Sequence, residues 1–153
     1  MADTRFEIDK DRLEVRITRV FSCTPERLWK AHTTASEIEK WWADTVVDKF
    51  EVKVGGAWRF VSQGQDGKQH AFRGEFKELD EPKKIVRTFE YEPYAGNIMV
   101  ETLLLEPTED GKTKQITLSK YENLQQLEGM VGMGMEEGAD AGLNRLAQLV
   151  ENN

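Results

Sequence analysis

The spacing of hydrophobic residues along the chain divides it into three parts. Leu13, Val15 and Ile17 alternate with polar residues, which is the period of a strand with one buried face. Period two returns between residues 47 and 121, and apolar residues then recur every three or four positions from 122 to 151. Turn-forming residues divide the middle part at 55–56, 64–67, 80–82, 93–96 and 110–111. The chain is predicted to open with a strand, to continue as a sheet and to end with a helix.

Two short helices are predicted between the first strand and the sheet. Thr24 followed by Pro25 is typical of a helix start, because threonine caps free backbone N–H groups and proline suits the first turn. Thr34 and Glu37 have the spacing of a capping box, which predicts a second start. The second helix is expected to end near the paired tryptophans at 41 and 42.

The middle part predicts six strands joined by connections short enough for hairpins, hence an antiparallel meander. The predicted strands are 47–54, 57–63, 69–79, 84–92, 97–106 and 113–121. Residues expected to share a face are Val52 with Val54, Trp58 with Phe60, and His70 with Phe72 and Phe76. The inward face of the later strands is left unassigned: one carries Ile85, Arg87, Phe89 and Tyr91 at alternate positions, and the next carries Ile98, Val100, Thr102 and Leu104.

The final segment, 122–151, predicts one long amphipathic helix. Its apolar stripe comprises Leu124, Leu127, Val131, Met135, Gly138, Gly142, Leu146 and Leu149. Further glycines interrupt the first half, and each interior glycine costs about 0.8 to 1 kcal/mol relative to alanine. On an uninterrupted helix Met133 would project among acidic residues, opposite the stripe. We therefore expect either a break between Gly129 and Gly134, which we favour, or exposure of Met133 at a partner interface.

Charge narrows the classes of partner. The chain has 153 residues and a net charge of −7. Six acids and one base lie between 122 and 151, so this segment alone carries −5. Nucleic acid is therefore not expected as a partner, and an anionic membrane surface would repel this helix. The acidic residues are interpreted as a solvated outer face, with an acidic docking surface for a basic protein as the alternative.

Length and composition predict one domain over 1–153, with its core in about 13–151. The sequence has no run of eighteen apolar residues and no signal-peptide pattern at its start, so a cytoplasmic location is expected. Cys23 is the only cysteine, which excludes an internal disulfide and a thiolate metal cluster. We interpret it as an idle thiol.

Candidate catalytic residues are few. His32 and His70 have side chains suited to general acid or base chemistry, and Glu101 and Glu128 could assist them if all four converged on one cavity. A hydrogen-bonded core histidine is the simpler interpretation of His32, and His70 is weighed in the same way. Two histidines do not make a zinc site without a third ligand, so neither a metal nor another cofactor is predicted. The serines lack the glycine-flanked elbow of a nucleophile.

Aromatic and methionine side chains supply the candidate ligand-binding residues. Rigid rings fix the shape of a cavity, and flexible thioethers adapt to its contents. The candidates are Trp42, Trp58, Phe60, Phe72, Phe89, Met130 and Met135. Ordinary core packing explains each of them equally well.

The order of these features resembles the SRPBCC (START-like) superfamily. The resemblance rests on Pro25 to Trp29, Trp41-Trp42, the Gly55 to Phe60 turn and strand, Gly74, and the segment from Gly129 through Gly138 to Leu146. More narrowly, the chain is similar to the family named after the activator of the ninety-kilodalton heat-shock protein ATPase. The resemblance implies an α+β helix-grip fold: a curved seven-stranded antiparallel sheet around the C-terminal helix, in the order β-α-α-β-β-β-β-β-β-α. His32 stands where the family commonly has an aromatic residue.

Three hypotheses about function follow from the residues and the resemblance. The first is a module that binds a small apolar or aromatic molecule in a cavity between sheet and helix, without chemistry. The second is an enzyme resembling the superfamily's cyclases, aromatases and hydrolases, using pocket histidine and glutamate. The third is a chaperone-associated interaction protein. Homodimerisation is compatible with all three.

Overall fold

The computed structural model describes residues 4–64, 67–132 and 134–151, in which eight strands and four α-helices surround one core. The strands are β1 (Arg5–Asp9), β2 (Glu14–Phe21), β3 (Thr45–Phe50), β4 (Ala57–Gln63), β5 (Gln69–Asp80), β6 (Lys84–Tyr91), β7 (Ile98–Pro107) and β8 (Thr113–Lys120). The helices are α1 (Pro25–Thr33), α2 (Ala35–Trp41), α3 (Leu124–Gly132) and α4 (Met135–Glu151). A single 3₁₀ turn, Glu92–Tyr94, follows β6.

All eight strands form one antiparallel sheet in the order β1-β2-β8-β7-β6-β5-β4-β3. The α+β helix-grip architecture is therefore confirmed, with eight strands in place of the predicted seven. The additional strand is β1, which pairs with β2 through Phe6 opposite Ile17. It was missed because it is a short edge strand that leaves most of its five residues exposed, so its hydrophobic alternation is weak.

The strand predicted over 47–54 is wrong at both ends. β3 begins earlier, at Thr45, and ends at Phe50. Val52 and Val54 lie beyond it and are 37% and 66% exposed. Gly55, with a φ of +84°, turns the chain there and donates its N–H to the carbonyl of Phe76. Only glycine adopts this φ without strain, so the turn overrides the alternation that the two valines appeared to continue.

The predicted faces are confirmed on the central strands and resolved on the later ones. Trp58, Phe60 and Phe76 are buried on the concave side. The inward face of β6, which the sequence pattern left unassigned, carries Ile85, Arg87 and Phe89. The inward residues of β7 are Met99, Glu101, Leu103 and Leu105, so Ile98 and Val100 lie on the exposed convex face.

Both short helices form as predicted, but only the first is capped by its threonine. The Thr24 hydroxyl accepts from the Arg27 backbone N–H at 3.2 Å. Thr34 is the N-cap of α2, yet its side chain makes no capping hydrogen bond. Glu37 does not complete a capping box; its buried carboxylate instead accepts from Arg27 Nη1 at 2.6 Å. The capping-box prediction is therefore wrong, because a nearby guanidinium competes for the carboxylate.

The C-terminal segment is two helices, so the prediction of one continuous helix is wrong and the favoured break is confirmed. Gly134, with a φ of +82°, lies between α3 and α4. The buried residues therefore differ from the predicted apolar stripe. Leu124 is exposed, and α4 buries Leu143, Leu146, Ala147 and Val150. Met133, whose awkward position suggested the break, lies outside the described residues.

Attachment to the rest of the fold differs between the two helices. α4 is fixed by polar contacts as well as burial: Arg145 Nε donates to the carbonyl of Trp41 at 2.9 Å, and Arg19 Nη1 donates to Asn144 Oδ1 at 2.6 Å. Within α3 the one fully buried side chain is Leu127. The C-terminal segment therefore packs against the rest of the fold mainly through α4.

Candidate functional site

The concave face of the sheet carries an aromatic cluster below α2. Trp58 and Phe60 lie at its centre with ring centroids 4.8 Å apart, and they are 1% and 0% exposed. Trp42, which follows α2, places its ring 5.0 Å from that of Phe60. Phe72 and Phe89 complete the cluster. Five of the seven predicted ligand-binding residues therefore come together, although Trp58 and Phe60 are sealed inside the cluster.

The two methionines lie in a second cluster. Met130 of α3 and Met135 of α4 pack against a buried group formed by Val15, Met99, Tyr121 and Leu127. The hydroxyl of Tyr121 donates to Met135 Sδ at 3.6 Å. Phe89 contacts both clusters and so joins them.

A row of polar side chains crosses the concave face between the clusters. Arg87 on β6, Glu101 on β7 and Ser119 on β8 are successive cross-strand partners. Arg87 Nε donates to Glu101 Oε1 at 2.9 Å, and the Arg87 guanidinium carbon lies 4.6 Å above the ring of Trp58. The row therefore lies at the centre of the sheet, surrounded by aromatic and apolar side chains.

Sequence reasoning named Glu101 as a weak catalytic candidate and missed the rest of this row. A signal was present in the sequence. Arg87 lies two positions from both Ile85 and Phe89, and Glu101 lies two positions from both Met99 and Leu103, so each charged residue shares a strand face with apolar ones. A charged residue that keeps the parity of an apolar strand face is predicted to point inward. A buried charge then needs an opposite charge on a neighbouring strand.

His32 lies at the inner side of α1 and faces β8. Its Nε2 donates to the side-chain oxygen of the buried Gln115 at 2.7 Å, which leaves Nδ1 as the acceptor of the neutral ring. The edge of its ring meets Trp41, with centroids 5.3 Å apart. Burial, and secondarily the charge of Arg87, lower the pKa of His32 to about 4, although the Gln115 hydrogen bond acts in the opposite direction.

The four catalytic candidates do not converge. His32 and Glu101 share the concave face, and Arg87 is close enough to act on both. His70 on β5 instead hydrogen-bonds the hydroxyl of Tyr91, and the two rings stack. Glu128 lies on the exposed side of α3, where it pairs with Lys10 at 3.6 Å. The structure thus brings together two of the four, and each of these two already has a partner.

Tyr121 and Cys23 are held in their protonated forms. Burial, followed by the charge of Glu101, raises the pKa of Tyr121 to about 12. Burial and the charge of Glu151 raise the pKa of the Cys23 thiol to about 11, against a smaller opposite effect of Arg27. A thiol with so high a pKa is a poor nucleophile at neutral pH, which agrees with the idle role expected of Cys23.

Several inward-facing side chains keep partial access to solvent. Trp42, Phe72, Phe89, Met130 and Met135 are each half-buried. Phe89 and Phe72 lie toward one end of the sheet, because Phe89 pairs with Met99 and Phe72 pairs with Tyr91. The first turn of α3 lies at the same end. The indole N–H of Trp42 is buried and has no hydrogen-bond partner within the described ranges. Apolar surface therefore stays partly accessible at this end of the concave face.

Two depressions lie elsewhere on the surface. One of about 570 Å³ follows the β1–β2 hairpin and is lined mainly by charged residues. Another of about 450 Å³ lies between the outer side of α1 and the end of β5, lined in part by Trp29 and Leu79. Neither contains a residue predicted to bind a ligand.

The buried neutral state of His32 predicts an acid-sensitive fold. Below pH 6.5 the unfolded chain binds a proton at His32, whereas the folded chain does so only near pH 4. The free energy of unfolding should therefore fall by up to about 3 kcal/mol as the pH decreases from about 6.5 to 4, because the stabilising effect of the neutral ring is lost. Urea unfolding across this range should show a steeper loss in the wild type than in His32→Gln. Parallel wild-type and His32→Gln curves would contradict the prediction.

In the described part of the chain, no three His, Cys, Asp or Glu side chains are grouped so that they could hold a metal ion. None of the helices in those ranges has the length and apolar character needed to cross a membrane.

Known families and structures resemble this chain over nearly its whole length. A sequence-family model described as "Activator of Hsp90 ATPase homolog 1-like protein" matches residues 22–151. Comparison with curated protein sequences gives no match.

Solved structures share the fold at low sequence identity. Protein Ms6760 from Mycobacterium smegmatis is 23% identical, with 97% of each chain covered and a TM-score of 0.87. A protein from Arthrobacter aurescens is 23% identical over 97% of this chain and 92% of its own, with a TM-score of 0.88. Protein CV1439 from Chromobacterium violaceum is 26% identical over 90% of this chain and 97% of its own, with a TM-score of 0.78.

Proposed function

The chain belongs to the activator of Hsp90 ATPase homolog 1-like family of the SRPBCC superfamily, and from this premise we propose that it binds a small apolar or aromatic molecule without transforming it. The ligand would occupy the concave face of the sheet, below the junction of α3 and α4. The observation that carries the proposal is the set of half-buried apolar side chains that face inward at this end of the sheet. Apolar walls with a few convergent polar groups are typical of ligand sites.

Under this proposal the sealed aromatic residues support the site, and the accessible ones contact the ligand. Trp58 and Phe60 are fully sealed and form the floor beneath Arg87. Trp42, Phe72, Phe89, Met130 and Met135 keep accessible surface and would contact the ligand. The unpartnered indole N–H of Trp42 supports this placement, because a buried donor without an acceptor is costly unless a ligand supplies one.

The candidate catalytic residues explain why we propose binding without catalysis. A general base works best when its pKa lies near the working pH. Burial lowers the pKa of His32 to about 4, well below neutral pH, and the Glu101 carboxylate is paired with Arg87. His70 is hydrogen-bonded to Tyr91, and Glu128 lies on the exposed side of α3, so the cyclase- or hydrolase-like hypothesis has the weaker support. Chaperone association and homodimerisation stay predictions.

Titration with the neutral dye N-phenyl-1-naphthylamine tests the proposal, because its emission rises in apolar surroundings. We expect saturable binding of one dye per chain and a bound small molecule in native mass spectra of freshly purified protein. Met135→Trp should fill the space below the helix junction and weaken dye binding at least about tenfold, a loss of roughly 1.4 kcal/mol. The matched control is Glu136→Trp, since Glu136 is the next residue of α4 and is exposed. Absence of saturable binding, or equal weakening by both variants, would overturn the proposal.

A further inference from the structure

The proposed site contains one ion pair, at the centre of its polar row. Arg87 Nε and Nη2 each lie 2.9 Å from the same atom, Glu101 Oε1. These two contacts do not use Glu101 Oε2 or Arg87 Nη1, so an acceptor and a donor remain beside the pair. The side chains of Arg87 and Glu101 are 12% and 19% exposed, although both face inward from the two central strands. Each side chain of the pair therefore keeps a small exposed surface.

The charges around this pair cancel at neutral pH. Arg87 and Glu101 neutralise each other, and the low pKa of His32 and the high pKa of Tyr121 keep both side chains uncharged. Arg19 is the other buried cation among the described concave-face residues. It lies four residues beyond Val15, the β2 partner of Ser119, which is about 13 Å along the strand. Asn144 and Asp140 of α4 cover it, so its charge acts away from the row.

We propose, building on the function proposed above, that the ligand is an uncharged molecule with an apolar or aromatic body and one group that both donates and accepts a hydrogen bond. A phenol, an alcohol or an amide has this chemistry. The group would accept from Arg87 and donate to Glu101, and the pair would thereby select against carboxylates. The Arg87 and Glu101 pair is then the specificity determinant of the site.

Desolvation gives the physical reason for this selection. A carboxylate entering the site must lose its hydration, and it meets an arginine whose charge is already balanced by Glu101. Oε2 of Glu101 would also lie next to the incoming charge and repel it. A neutral donor and acceptor loses less hydration and matches both free atoms. A wholly apolar molecule would leave those atoms without partners.

Three probes of the same shape separate these cases: 2-naphthol, 2-naphthoate and 2-methylnaphthalene, each used to displace N-phenyl-1-naphthylamine from the full chain at neutral pH. We expect 2-naphthol to bind at least about tenfold more tightly than either of the others. Preference for 2-naphthoate, or equal binding of all three, would overturn the inference while leaving the proposed function intact. If none of the three displaces a bound dye, the inference also fails. If the dye itself does not bind, the proposed function fails first.

A charge variant sharpens the test. Glu101→Gln leaves Arg87 unbalanced and keeps the shape of the side chain, so 2-naphthoate should gain at least about tenfold in affinity and 2-naphthol should change by less than about threefold. The control is Glu136→Gln on the exposed side of α4. An unchanged probe order in a folded Glu101→Gln protein would overturn the inference. The wild-type probe order decides the matter by itself if this variant does not fold.

Discussion

Replacing Arg87 with methionine is expected to lower the free energy of unfolding by about 3 kcal/mol. The substitution leaves the Glu101 carboxylate largely buried at the centre of the sheet without its cation. It also removes the guanidinium from the face of the Trp58 ring. Urea unfolding at pH 7, followed by tryptophan fluorescence and by circular dichroism, measures the loss.

Two controls make this result specific to a buried pair. The double variant R87M/E101L replaces both charges with apolar groups and should recover most of the loss, because no unpaired charge remains. Lys84→Met breaks a pair of similar length, 2.8 Å to Glu78, but these two side chains are 38% and 52% exposed. That variant should lose less than about 1 kcal/mol. Equal losses from R87M and K84M would contradict the assignment of Arg87 and Glu101 to the interior.

Replacing Gly74 with alanine is expected to destabilise the fold by about 3 kcal/mol. A Cβ at this position on β5 would lie 1.9 Å from the carbonyl oxygen of Thr88 and 2.6 Å from Trp58 Nε1. Trp58 Nε1 already donates to that same carbonyl, so neither group can move without breaking the bond. Thermal and urea unfolding would show the loss, and near-ultraviolet circular dichroism would report the displaced indole.

A helical glycine provides the opposite case. A Cβ at Gly138 of α4 would meet nothing within 4 Å. Gly138→Ala should therefore stabilise the protein by about 0.5 to 1 kcal/mol, because alanine has the better helix propensity. A comparable loss of stability in both alanine variants would show that the close approach of β5 to Trp58 is not the cause.

Local sequence signals predicted what local interactions determine. The Thr24 cap, the alternation of Trp58 with Phe60 and the glycine-linked break before α4 each depend on residues a few positions apart. The end of β3 was wrong because a turn at Gly55 decided it, against a hydrophobic alternation that continued to Val54. Edge strand β1 was missed because its partner, not its own pattern, holds it in the sheet.

The sequence likewise predicted one part of the candidate site and not the other. Its aromatic residues were predicted, because large apolar side chains indicate a core or a cavity wherever they occur. Its ion pair was not, because Arg87 and Glu101 meet only once the register between β6 and β7 is known. The bond between His32 and Gln115 likewise spans 83 positions and requires α1 to lie over β8. Contacts of this kind are properties of the assembled sheet, and a strand-by-strand pattern does not contain them.

The break at Gly134 has a consequence for how fast a molecule could enter or leave. α3 buries little and contains glycines whose surroundings are open, whereas α4 is fixed by Arg145 and Asn144. Amide hydrogens of α3 are therefore expected to exchange through local opening that leaves α4 protected. If a ligand enters beneath α3, its observed association rate should reach a plateau as ligand concentration rises. The plateau would equal the opening rate of α3, so the protein and not diffusion would set the speed of exchange.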